Sequence, residues 1–273
     1  MSRLCIVTAL PAETRPLLDV LKLRQSKARH LRLYDSDEYL LLETGMGKLN
    51  ASAAVGAVLQ AHPDISMMVN LGVAGGIFNY GEVLAAHHVL DQASGAQWFP
   101  HLPDNRAFRD IQTASVITVD APDTHYRAGV LFDMEATGIF NAASRFLSTS
   151  QIQSIKVVSD NPDCDIQYIN KDAVVALIRQ ALPNILSMLD VLQHLALSLN
   201  IQHTKAIDKL VASTVDGIRH SVNDEQLLRQ LVQQHITISG ELPRIDTQAR
   251  SAKDIRKGLQ ASLAMKPFVY GAH

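Results

Sequence analysis

The chain has 273 residues, room for one large core or for a domain of about 200 residues with an appendage. Apolar residues make up 47% and charged residues 19%, the balance of a soluble globular protein and not of a disordered one. A formal net charge of -2 gives no global electrostatic case for nucleic acid or an anionic membrane surface, and no apolar run approaches the ~18 residues of a membrane span.

Leu4–Thr8 is the first apolar run, and Pro11, Glu13 and Arg15 follow it so closely that it reads as a buried strand and not as a signal peptide. Cys5 within it is expected to be a small core residue. Cys5 and Cys164 lie far apart and match no metal spacing, so no disulfide is expected, which favours a reducing cytoplasm. Further strands are expected at Leu31–Tyr34, Tyr39–Glu43, Met67–Leu71, Val83–Leu90, Ala114–Val119 and Ile155–Ser159. Helices are expected at Pro11–Leu21, Leu49–Ala61 and Glu135–Leu147, where apolar residues recur at three- and four-residue spacings. Pro11 suits a first helical turn.

The alternation of the two patterns implies an α/β sheet. Gln92–Arg109 lacks periodicity and reads as a long loop, and one of His87 and His88 should face the core. A long helical pattern, Asp172–Leu199, should be kinked or divided at Pro183. Around Asn200–Lys205 the character becomes helical and polar, with helices expected at Lys205–Ile218, Asp224–His235 and Ala252–Ala264. Six basic and two acidic side chains between Arg244 and Lys266 fit a solvated helical face better than a nucleic-acid tail.

Four places carry potential chemistry, and open α/β sheets gather ligands at the carboxyl ends of their strands. Glu13 follows the first strand and is either a dipole-stabilised first-turn carboxylate or a reactive one. Thr44-Gly45-Met46-Gly47 precedes a helix and is either a tight packing turn or a place where backbone N–H groups meet a ligand. Asn70-Leu71-Gly72-Val73-Ala74-Gly75-Gly76 is either a structural turn or backbone exposed to a ligand. Asp133-Met134-Glu135 and Ser159-Asp160 are helix caps, turn formers or acid/base groups. No ligand set for a metal is apparent, and neither a metal nor a cofactor is expected.

The strings IVTALPAE, ETGMGKLNAS, VNLGVAGGI, YGEV, DMEATGI and VVSDNPD occur in this order over approximately residues 1–199. Together they resemble the nucleoside phosphorylase superfamily, especially methylthioadenosine/S-adenosylhomocysteine nucleosidases and futalosine hydrolases. The resemblance implies a three-layer α/β/α domain over residues 1–199 with a mixed, partly barrel-like sheet. Residues 200–273 then form a helical C-terminal extension of unknown role. It implies a purine-type nucleosidase in which Glu13 activates the attacking water and Asp160 protonates N7 of the departing base. Glu135 would hold the ribose hydroxyls and Met134 would pack on the sugar, with Val73, Gly75, Gly76 and Ser159 around the substrate. Such an acid must carry its proton when the base leaves, which calls for a desolvated pocket. The implied partners are a small nucleoside and further copies of the chain, as a homodimer or higher oligomer, with no nucleic acid and no membrane.

Asn70 stands where the phosphorylases of this superfamily place a phosphate-binding arginine, and a neutral amide lacks the charge and fork of a guanidinium. Water is therefore the expected nucleophile, with phosphorolysis and a catalytically silent binding protein as the rival readings. Val73 stands in place of a usual hydroxyl residue, Gly81-Glu82 in place of Gly-Asp, and Asn161-Pro162 alters the turn after Asp160. The segment between Val116 and Glu135 is shorter than is usual and holds Asp120, Asp123, His125, Tyr126 and Arg127, so the substrate is expected to differ from methylthioadenosine. Tyr126 in that segment either stacks on a base or is an exposed loop residue.

Overall fold

The computed structural model describes residues 3–26, 31–164, 169–218, 220–239, 242–245 and 251–264. The chain forms two compact units, Met1–Leu197 and Ser198–His273. In the first, β1 (Arg3–Thr8), α1 (Pro11–Val20), β2 (Arg24–Gln25), β3 (Arg32–Asp35), β4 (Tyr39–Glu43) and α2 (Lys48–Ala61) lead into a long β5 (Ile65–Gly76). Then come β6 (Val83–Asp91), β7 (Gln97–Trp98), α3 (Arg106–Arg109), β8 (Gln112–Thr118), β9 (Val130–Asp133), α4 (Ala136–Ala143), a short 3-10 turn at Thr149–Gln151 and β10 (Ile152–Asp160). Pro11 occupies the first turn of α1, where its missing N–H leaves no helical bond unmade.

Five strands close on themselves: β5 pairs with β9, β9 with β8, β8 with β6, β6 with β10, and β10 again with β5. From β5 the sheet continues outward through β1, β4, β3 and β2, so it is mixed and partly a barrel, as expected. Closure is possible because β5, at twelve residues, is long enough to pair with β1 and β10 along its length and with β9 at its end. The VNLGVAGG stretch is thus strand throughout and not a turn after one. Its glycines cost strand propensity, and pairing on both sides offsets that cost.

The expected loop carries further structure, and one expected strand is irregular. Gln92–Arg109 contains the two-residue β7 and the single-turn α3, each too short to impose a period on the sequence. The pairing of β6 with β8 shifts register between Ala86 and His88, and this bulge upsets the alternation on which the histidine expectation rested. Neither histidine enters the core: His87 is exposed, and half-buried His88 stacks on Phe99 with ring centroids 4.7 Å apart.

The core joins Cys5, Val7, Leu40, Val55, Met68, Leu84, Val116, Ile139 and Phe140. Both cysteines are free, and burial pushes the Cys5 thiol up to about 12, leaving it an inert core group. Helix α5 (Lys171–Val215) runs unbroken through Pro183. Pro183 lies on the exposed face, where the carbonyl it leaves unbonded reaches water, while Ile178, Ala181, Ile185 and Met188 fix the other face in the core. The first 28 residues of α5, Lys171–Ser198, are long and apolar enough to cross a membrane, but their apolar stripe packs on the sheet side, where Gln193 accepts the Leu4 N–H at 3.1 Å. The helix start expected at Lys205 is therefore an interior position of α5.

In the second unit the last turns of α5 join α6 (Val222–Ser239) and α7 (Ala252–Ala264) around a small core of Ile207, Val211, Leu228, Val232, Ile255 and Leu259. Each helix opens on a reciprocal Ser–Asp cap, Ser221 with Asp224 and Ser251 with Asp254. Of the basic run, Lys253 and Lys257 are exposed on α7, and half-buried Arg256 pairs with Asp224 at 3.3 Å. Arg250 and Lys266 lie outside the described residues.

Helices α2 and α4 pack so closely that a Cβ on Gly138 would lie 2.1 Å from the Lys48 carbonyl oxygen. Propensity alone favours alanine in a helix by about 1 kcal/mol. Overpacking against backbone reverses the sign, so Gly138→Ala should destabilise the fold by about 2 kcal/mol or more in urea unfolding. A stabilised variant would show that the contact is not tight.

Candidate active site

A cleft of about 470 Å³ opens in the first unit and brings together Glu13, Val73, Gly75, Met134, Glu135, Ser159 and Asp160, positions up to 147 residues apart in sequence (Glu13 to Asp160). Gly76 does not line it: a Cβ there would meet the Val130 carbonyl at 2.6 Å and Leu131 at 2.9 Å, so this glycine serves the β5–β9 contact.

Glu13 sits in the first turn of α1 and is buried. Its Oε2 accepts the N–H groups of Ala9 and Leu10 at 2.8 and 2.9 Å, while Oε1 accepts that of Val73 at 2.9 Å. The helix-start and site readings of Glu13 are thus compatible. One oxygen finishes the turn, and the other ties α1 to β5. Burial pushes its carboxyl above the ordinary range, against the pull of the three N–H donors and of Lys156. A Cβ on Gly72 would lie 2.7 Å from Oε1, so the carboxylate occupies the space that any other residue would fill.

Asp160 stands at the end of β10 beside Gly75 of β5, in register with it. The pairing shifts between Val158 and Asp160, so Ser159 is the extra residue of a bulge, a device that re-aims side chains at the rims of sites. The Ser159 hydroxyl donates to Asp160 Oδ1 at 2.5 Å, and the Tyr126 hydroxyl to Oδ2 at 2.6 Å. A Cβ on Gly75 would fall 2.1 Å from Oδ2. The half-buried Tyr126 is therefore neither a free loop residue nor part of the cleft lining.

Glu135 precedes α4 and accepts the Gly47 N–H at 2.7 Å through Oε1. The Gly45–Gly47 turn thus spends one backbone donor on a side chain of the protein, and Gly45 and Gly47 hold it with φ of 81° and 93°. Burial, then the nearby Asp133 charge, pushes the Glu135 carboxyl up to about 7, with Lys156 and the Gly47 N–H opposing them. Asp133 itself is a structural anchor. Its oxygens take the Thr118 hydroxyl at 2.6 Å, the Ala136 N–H at 2.8 Å and the buried Lys156 ammonium at 2.7 Å. Asn161 keeps its turn, accepting the N–H groups of Asp163 and Cys164. No group of His, Cys, Asp and Glu among the described residues is arranged to hold a metal ion.

Sequence reasoning passed over Lys156. A lysine in the middle of the apolar run IKVVS was the available sign, since a buried lysine demands a partner.

At the level of sequence no family model and no curated protein matches the chain. Its structure is similar to that of the 5'-methylthioadenosine nucleosidase of Arabidopsis thaliana, at 17% identity and a TM-score of 0.62, over 70% of this chain and 96% of that one. It is also similar to the futalosine hydrolase of Helicobacter pylori (12% identity, TM-score 0.58, 69% of this chain and 97% of that one). A third is the 5'-methylthioadenosine/S-adenosylhomocysteine nucleosidase of Colwellia psychrerythraea in complex with adenine (17% identity, TM-score 0.54, 69% and 96%). This is the fold of the nucleoside phosphorylase superfamily. The neighbours are matched over nearly their whole length, and about 30% of this chain lies beyond them.

Because Glu135 is raised, the folded protein holds a proton between about pH 4.5 and 7 that the unfolded chain has released. Its contribution to stability is therefore present below pH 4.5 and is lost as pH rises through 7. Glu135→Gln should flatten that slope and raise stability above pH 7 by on the order of 1–3 kcal/mol, measured as unfolding midpoints across pH. Lys156→Met should do the opposite, costing about 3–5 kcal/mol in denaturant unfolding by leaving Asp133 buried and unpaired.

Proposed function

We propose that this chain hydrolyses the N-glycosidic bond of a purine-type ribonucleoside or a derivative, with water as nucleophile. The observation that carries the reading is the presence of three buried carboxyl groups, Glu13, Glu135 and Asp160, on the walls of one cleft. Cleavage of the bond builds positive charge on the ribose and negative charge on the base. Carboxylates beside the sugar stabilise the first in a low-dielectric site, and an acid at the base neutralises the second.

In this scheme Asp160 gives its proton to N7 of the base, and the C1′–N9 bond breaks with its electron pair on the base. A water oxygen bonds to C1′ and passes a proton to Glu13. Oε1 of Glu13 accepts a single backbone N–H, which leaves it a lone pair for that proton. Glu135 takes the ribose hydroxyls, and Met134, Val73 and Gly75 line the sugar and base space. A purine fits because it offers a basic ring nitrogen away from the bond being broken. The products leave with one proton on the base and one on the sugar oxygen, and Asp160 is recharged as Glu13 discharges.

Water is favoured over phosphate because Asn70 is buried within β5 and accepts the Ser154 hydroxyl at 3.1 Å, and no guanidinium shares its strand. The cations that line the cleft are Arg15 and Lys171. The same reading carries a cytoplasmic homodimer or higher homo-oligomer, which sedimentation would show.

Base release from a panel of nucleosides, with and without phosphate, tests the proposal. Release without phosphate is expected, and Asp160→Asn should slow it by at least about 100-fold. Release that needs phosphate would make the protein a phosphorylase served by Arg15 and Lys171. Binding of nucleosides without release, equally tight in Asp160→Asn, would make it a binding protein.

A further inference from the structure

Tyr126 belongs to the connection between β8 and β9, and several contacts hold that connection in place. At its start Asp120 pairs with Lys48 at 2.9 Å, and Lys48 pairs in turn with Asp91 of β6 at 3.0 Å. At its end the Arg127 guanidinium lies over the Phe132 ring, 5.4 Å from its centroid. Between them the Tyr126 side chain packs in a small apolar cluster with Ile117, Val119, Phe132 and Met134. Its ring also comes against Gly75, where a Cβ would sit 3.0 Å from Cε1. The phenol therefore arrives at Asp160 by packing and not by chance of an open loop.

The terminal torsion of an aspartate is broad, so a carboxyl held by one oxygen still swings. Here each oxygen has its own hydroxyl, Ser159 on Oδ1 and Tyr126 on Oδ2. Each carboxyl oxygen has two acceptor positions, so both hydroxyls go on donating whether Asp160 holds its proton toward the base or has lost it. From this geometry we infer that Tyr126 is a positioning residue for Asp160, fixing the acid toward the leaving base through the catalytic cycle; the inference rests on the nucleosidase reading above. The proton still passes from Asp160 to the base nitrogen, and Tyr126 ends the cycle with its own.

The test is Tyr126→Phe, which keeps the ring and removes the hydroxyl. Its kcat and KM are measured against wild type on a purine nucleoside that the wild type cleaves and on 4-nitrophenyl riboside, whose leaving group needs no proton. On the nucleoside kcat should fall by about 10- to 100-fold with KM within about twofold, as expected when an acid is misplaced by a fraction of an ångström. The loss on the aryl riboside should be at least about tenfold smaller, and that substrate doubles as a check that the variant is folded. Equal losses on both substrates, wild-type kcat on the nucleoside, or a rise in KM alone would each overturn the role. A wild type that cleaves neither substrate would overturn the nucleosidase reading itself, an outcome distinct from any of these.

Discussion

Lys156 is the one buried lysine or arginine among the described residues, set against six buried carboxyl groups. It bonds directly to Asp133 and lowers the carboxyls of Glu13 and Glu135 through space. Without it a cleft of this acidity would repel itself, because like charges in a low-dielectric interior are not screened. The pair also ties β10 to the segment that starts α4, and so links Asp160 and Glu135 through one ion contact. A carboxyl cluster on the walls of one cleft thus relies on a cation placed behind it and fully enclosed.

Much of this was open to reading along the chain. The strands at Leu4–Thr8 and Tyr39–Glu43 and the helix after Pro11 follow from short-range pattern, and the structure places them there with small shifts. The clustering of Glu13, Glu135 and Asp160 followed from their positions at strand ends together with the order of the motifs. What was not legible depends on contacts between distant segments. Strand β9 has four residues, too few to show alternation, and it exists because β5 and β8 each offer it an edge. The closure of β10 onto β5 likewise has no local sign, and neither does the bulge that lifts both histidines off the core. Tyr126 was misplaced for the same reason, since its partner lies 34 residues away on another strand.

The two glycine motifs were legible in place, and the structure adds what their backbone meets inside the protein. Backbone at Gly72 and Gly75 does approach functional groups, but these are side chains of the protein itself. Likewise the N–H of Gly47 meets Glu135. Glycine here makes room for acids within a packed strand, where a turn would have needed it only for its dihedral angles.

That arrangement governs how such a site can change over time. With Gly72 and Gly75 serving as the mould for Glu13 and Asp160, almost any replacement on the floor of the cleft displaces a carboxyl group outright. Variation that spares those acids is channelled into Pro122 and Asp123, which edge the cleft between β8 and β9 ahead of the Tyr126 that holds Asp160. Divergence in what the cleft accepts should accumulate there, while the strand beneath stays frozen.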